Sequence, residues 1–269
     1  MKRPAIYLFW LIIIGGIISY YIISSNVTQE TRNQLQQAQT EYVKGETAAT
    51  LGERQDSFNR ALAFYTDFES KYQPAFGNGK LYYNIANSYF QVGEYPWAIL
   101  YYYRAHALMP RSKKVTDNLK VALTKLGIAA EEETSVFHKF FFFHQYLSLP
   151  ERLQTFFVLA LLGILSGSFY LWKRQPWLKN SVILTAILSG VVLCSLGYSH
   201  YIASTEGIIV RSTALYRDAG LQYAKVIEKP ILSGIKVEIL DTAGNGKWLK
   251  IFTPEGNLGY VPCESLRII

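Results

Sequence analysis

Three stretches of this chain contain no Lys, Arg, Asp or Glu: Ala5–Ile23, Leu153–Trp172 and Ser181–Ile202. A helix of about 20 apolar residues crosses roughly 30 Å of hydrocarbon, and a helix bonds all of its own backbone groups where no water is available. A soluble core helix can also lack charge, but three such runs at this length read as three transmembrane helices. They leave two longer segments, 24–152 and 203–269, polar enough to fold in water.

Charge placement orients those spans. The net charge is +7, and Lys2, Arg3, Lys173, Arg174 and Lys179 supply most of it, all of them beside apolar runs. The two long segments are each within one charge of balance. Basic residues flanking spans follow the positive-inside rule and do not form a nucleic-acid footprint, so no nucleic-acid partner is expected. Residues 1–4 and the loop Trp172–Asn180 are placed in the cytoplasm, and 24–152 and 203–269 on the outer side. The first run is read as an uncleaved anchor within 1–25. It is longer than a secretory signal core, and no Ala-x-Ala site follows it.

Small residues recur at four-residue spacing within the second and third runs: Gly163 and Gly167, then Ala186, Gly190 and Cys194. Such stripes predict close helix approach, most simply to each other. Cys194 lies in a span and Cys263 in the tail, so no disulfide is expected. His106, His138, His144 and His200 form no metal-ligand pattern and read as ordinary interfacial or helical residues. Gly-Asn-Gly-Lys occurs twice, at Gly77–Lys80 and Gly244–Lys247, but neither copy has the earlier Gly or the following Ser/Thr of a phosphate loop. With no nucleophile elbow or paired acidic motif, the chain reads as non-catalytic, without metal or cofactor.

Between the first and second runs the pattern is helical. Leu51, Phe58, Ala61, Leu62, Tyr65 and Phe68 stripe one face of a helix over 47–72, which Pro74 and Gly77-Asn78-Gly79 break. In Gly79–Pro110, Tyr82, Ile85, Ala86, Tyr89, Ala98, Tyr102, Ala105 and Pro110 resemble the tetratricopeptide (TPR) repeat, with Gly93 at the inter-helix turn. Val115, Leu119, Ala122, Leu123 and Leu126 form a further helical stripe. A TPR-like helical domain is therefore expected over 26–130. Its concave face would carry Lys80, Tyr83, Asn84, Asn87, Gln91 and Asn118 as a peptide- or protein-binding groove, with Asn87 exposed enough that truncating it should scarcely affect folding. In TPR domains that clamp a terminal carboxylate an Asn pair is typical; Asn87 and Asn118 fit it, while Tyr83 stands where a Lys is usual. The aromatic segment 131–152 fits a membrane interface or a core helix, and the sequence leaves both open.

After the two spans and short basic loop of 153–202, residues 203–269 read as short strands separated by Gly-Asn-Gly and Pro-Glu-Gly-Asn turns. Ala214–Asp218 (ALYRD), Trp248 and Gly259–Pro262 (GYVP) resemble the markers of SH3-like domains. The resemblance implies a small barrel with Tyr216, Trp248 and Pro262 lining a groove, although Ser265 stands where a groove Tyr is usual. The fold class expected is thus a multi-domain membrane protein: an all-α TPR-like domain plus an all-β SH3-like barrel, with three transmembrane helices.

The order anchor, TPR, paired spans, SH3-like tail resembles the BatE-type proteins of bacterial aerotolerance operons. That resemblance implies a bacterial inner-membrane scaffold with its domains on the periplasmic side. Its partners would be Bat-family membrane proteins carrying von Willebrand A domains and a MoxR-type ATPase. Peptidoglycan binding through the tail is the alternative.

Overall fold

The computed structural model describes residues 13, 14, 16, 29–72, 78–129, 142–201 and 204–269. The chain divides into two compact units, Met1–Ala75 and Phe76–Ile269.

The first unit contains a helical hairpin, α1 (Gln29–Thr47) and α2 (Leu51–Tyr72). Ala38 on α1 and Phe58, Ala61, Tyr65 and Phe68 on α2 are buried and Leu62 is half-buried, whereas Leu51, the first residue of the stripe read from sequence, is exposed. Gly45 lies against the Phe58 ring, where an added Cβ would sit 2.9 Å from ring carbons. The Tyr65 hydroxyl donates to Gln39 Oε1 at 3.1 Å, and Tyr42 meets Phe58 edge-on with centroids 5.1 Å apart. Glu41 accepts hydrogen bonds from Lys44 and from Arg60 Nε, the latter at 2.7 Å. These two cations hold its carboxyl below the ordinary range.

In the second unit, α3 (Gly79–Gln91) begins under an Asn78 cap whose side chain accepts from the Lys80 amide at 2.9 Å. It turns at Gly93 (φ +85°) into α4 (Tyr95–Leu108). Ala86 and Ala98 are fully buried, and rings fill the space around them: Tyr82 against Tyr101, and Tyr89 stacked on both Trp97 and Tyr101. Next, α5 (Lys113–Lys125) packs on α4 through Val115, Leu119, Ala122 and Leu123. It ends in a Schellman motif: Ile128 N–H bonds to Leu123 O and Gly127 N–H to Thr124 O, each at 3.0 Å, with Gly127 at φ +69°.

A short helix α6 (Phe142–Tyr146) precedes α7 (Leu149–Lys173), which returns through Arg174-Gln175 as α8 (Pro176–Tyr201). Both long helices are long and apolar enough to cross a membrane. Their apolar side chains point outward: Phe157 is 66 % and Leu171 80 % exposed. A core helix of a water-soluble domain would bury that surface. Between the helices, Ser166 and Ser181 share a hydrogen bond of 3.1 Å, and Gly163 and Gly167 face Thr185 and Val182 of α8. The stripe Ala186, Gly190 and Cys194 faces outward instead. The face that α8 turns to α7 carries Val182, Thr185, Val192 and Ser195, set by the polar pairs and not by side-chain size.

The tail forms β1 (Thr205–Ile209), β2 (Lys236–Ala243), β3 (Trp248–Phe252), β4 (Leu258–Pro262) and β5 (Leu266–Ile268). They make one antiparallel sheet in the order β4-β3-β2-β1-β5, with a bulge in β2 between Ile239 and Asp241. Ile209, Leu215, Ile231, Val237, Leu249, Ile251, Val261 and Leu266 are its core.

The expected fold class needs correction. The described residues hold two helices able to span, not three with the first apolar run included; that run, Ala5–Ile23, lies almost wholly outside the described residues. The sheet is open: β4 and β5 end it at opposite edges and do not pair with each other. A 3-10 turn, Cys263–Ser265, carries the chain from β4 to a β5 only three residues long, and residues 210–235 add only isolated bridges, too few to close a barrel.

The sheet packs on α4. Arg104 Nη2 donates to Ile268 O at 2.8 Å, Arg267 lies over Trp97, and Lys236 over Tyr103. At the tightest point Gly234 has φ +92°, and an added Cβ would lie 2.4 Å from Leu126 Cδ1 and 3.0 Å from Ile128 Cδ1. Gly234→Ala therefore meets left-handed backbone strain and a clash together, and should cost about 2 kcal/mol. Chemical denaturation of the full chain, monitored by near-ultraviolet circular dichroism, measures that loss.

Glu41 supplies a pH test in the first unit. Its folded carboxyl titrates lower than the unfolded one, so its stabilisation is present above the unfolded value, near 4.5, and is lost as pH falls through the folded value. Lys44 and Arg60 are mostly exposed, so the effect should stay under about 1 kcal/mol. In hydrogen exchange of α1 and α2 amides, wild type should be more protected than Glu41→Gln at pH 6, with the difference shrinking as pH is lowered below the unfolded value.

Candidate functional site

Helices α3 and α5 stand on the same side of α4, and the residues between them are tied by hydrogen bonds. Asn118 Nδ2, on α5, reaches both Asn87 Oδ1 and the Tyr83 hydroxyl of α3, each at 3.1 Å. Asn87 Oδ1 also accepts from the Tyr102 hydroxyl of α4 at 2.7 Å. One carbonyl oxygen thus uses both lone pairs to join three helices. Of the six groove residues read from sequence, the structure joins Tyr83, Asn87 and Asn118 directly. Asn84 is half-buried a turn away, Lys80 is exposed at the start of α3, and Gln91 is half-buried at its end.

The expectation that Asn87 is a solvated groove residue is corrected by this geometry. It is half-buried, and Tyr102, which donates to it, is 1 % exposed. The sequence register put Asn87 on the right face but could not reveal that Tyr102 turns its hydroxyl toward that face.

In the sheet, Tyr216 meets Trp248 edge-on with centroids 5.5 Å apart and planes at 86°. Trp248 lies opposite Pro262 in the β3–β4 ladder, and Tyr216 exchanges backbone hydrogen bonds with Tyr260 of β4. The three residues singled out in the tail therefore come together, all half-buried, as an aromatic cluster on the open sheet.

Two further features were not legible in the sequence. A cleft of about 700 Å³ lies between α5, Tyr103 of α4 and the β layer, lined by Leu123, Leu126, Ile128, Ile231, Leu232 and Ile235. The other feature is a polar cluster at the end of the α7–α8 pair remote from its turn. There Ser199 Oγ (2.8 Å), Ser195 Oγ (3.0 Å), Ser195 O (3.3 Å) and His144 Nδ1 (2.8 Å) surround Arg152 Nη1 and share its two N–H groups. His144 packs edge-on against Tyr198. The nearby Ser148–Glu151 capping box fixes the start of α7, and Glu151 also bonds Arg111 from the turn between α4 and α5. The available signal was Arg152 standing immediately before the second apolar run, with Ser195 and Ser199 one turn apart inside the third. His144 is thus tied, half-buried, into the Arg152 network; His138 lies outside the described residues.

Among the described residues no three His, Cys, Asp or Glu side chains gather as metal ligands. Cys194 is exposed and Cys263 half-buried, both as free thiols. No family model, curated protein or solved structure matches this chain.

Asn87→Ala removes the acceptor of a buried hydroxyl and the tie to α5, and should cost about 1–3 kcal/mol. Asn87→Asp keeps the accepting oxygen and should recover most of that loss. Equilibrium unfolding of both variants in the full chain provides the check.

Proposed function

We propose that this chain is a non-enzymatic, membrane-anchored protein-binding module whose groove between α3 and α5 holds a segment of a partner protein. The observation that carries this reading is the tie Tyr83–Asn118–Asn87–Tyr102. It holds two helices side by side while leaving half-exposed amides, with Lys80 exposed beside them. A groove pre-set in this way loses little further conformational freedom on binding. The opposite side of α4 is occupied by the β layer, so a partner of the helices would meet α3 and α5.

The α7–α8 pair would cross the bilayer with its Lys173–Lys179 turn in the cytoplasm, as the basic residues favour, leaving the helices and the sheet on the periplasmic side. By resemblance to BatE-type proteins, the partners would be Bat-family membrane proteins with von Willebrand A domains and a MoxR-type ATPase, in tolerance of oxygen or stress. A second reading, attachment to peptidoglycan, is favoured by the half-exposed Tyr216–Trp248–Pro262 cluster.

Photo-cross-linking in native membranes separates the two. A cross-linking residue at Lys80 or Val121, the latter exposed one turn beyond Asn118, should capture a discrete protein, and one at the exposed Leu221 should not. Capture only from Leu221, together with retention on sacculi that Trp248→Ala abolishes, would shift the function to the sheet.

A further inference from the structure

Arg152 lies one turn into α7 and is 6 % exposed. All its hydrogen bonds leave from Nη1, and all go to neutral acceptors. The buried Nε has no partner, and Nη2 makes no hydrogen bond among the described residues. Nor does Arg152 have an ion-pair partner there, since the adjoining Glu151 carboxylate serves the Ser148 cap and Arg111. A guanidinium withdrawn from water without a counter-ion is strongly disfavoured.

The unused groups form one edge. Nε–H and Nη2–H point the same way from the planar guanidinium, and that fork matches two oxygens of one oxyanion. The positive end of α7 adds to the attraction for an anion. Location narrows the chemistry: Leu149 and Leu153, on either side of Arg152, are exposed, and Phe157 begins the outward apolar surface one turn on. In the membrane orientation proposed above, this is the depth at which phospholipid phosphates meet a spanning helix.

We propose that the Nε/Nη2 edge of Arg152 binds a phosphate oxyanion, either the headgroup of a phospholipid or free inorganic phosphate, at the end of the α7–α8 pair remote from its turn. Ser195, Ser199 and His144 hold Nη1 and so aim the edge. The site is independent of whatever occupies the α3–α5 groove.

The test uses the full chain purified in mild, phosphate-free detergent. Its thermal midpoint is measured after adding short-chain phosphatidylglycerol, inorganic phosphate, or sodium chloride of equal ionic strength, and native mass spectrometry detects retained phospholipid. Wild type and the remote control Lys179→Gln should rise by several degrees with a phosphate-bearing ligand and not with chloride. Arg152→Lys keeps the charge but lacks the fork, and should lose most of the shift. A shift with lipid alone assigns the headgroup; a shift with both assigns the phosphate group itself. Wild type that neither retains lipid nor responds to either ligand overturns the proposal, whether or not the variant folds. An undiminished shift in Arg152→Lys also overturns it.

Discussion

Helix α4 buries Ala98, Ile99, Leu100, Tyr101, Tyr102 and Ala105 in a run with no continuous polar face. A helix apolar all round must be covered on every side. Helices α3 and α5 cover one part of its surface through Ala86 and Leu119, and the sheet covers another through Gly234 and Ile268. The second unit depends on that double coverage. It sets α3 beside α5 to form the groove, and it ties the open sheet to the helices, so that five short strands need not be stable alone.

The helix pair solves a different problem. Where the surroundings are apolar, burial of Leu or Phe between helices brings no hydrophobic gain, and association depends on close packing and polar contacts. Glycines 163 and 167 provide the first, and Ser166 with Ser181 the second. The Arg152 network extends the same logic to the other end of the pair and also engages α6 through His144. Arg111 and Glu151 then connect the start of α7 with the α4–α5 turn, so α4 and α5 and the long apolar helix pair are linked by a charge-assisted bond as well as by the chain.

The groove and the Arg152 cluster differ in how their polar atoms are satisfied. In the groove, one Asn oxygen has both lone pairs filled by protein donors, which favours a fixed scaffold reading a ligand with its remaining edges. At Arg152, one edge of the side chain is hydrogen-bonded and the buried Nε of the other has no hydrogen-bond partner. A buried cation with unfilled donors carries a desolvation cost that a bound anion would offset.

The sequence by itself determined where helices and strands would lie and which surfaces are apolar. Those properties follow from local period and charge: the uncharged runs became α7 and α8, the one-sided stripe on 51–72 became α2, and the small Ala86 and Ala98 met at a helix contact. The aromatic markers Tyr216, Trp248 and Pro262 were legible for the same reason, being set in turns and alternating strands. Tertiary structure alone decided whether the sheet closed, because closure depends on edge pairing between β4 and β5, which no local pattern encodes. It also decided that Asn87 is tied to Tyr102 and Asn118, that the Ala186–Cys194 stripe looks outward, and that Arg152 turns inward. Each of these depends on a partner distant in sequence, and a periodicity reports which face a residue occupies but not what that face meets.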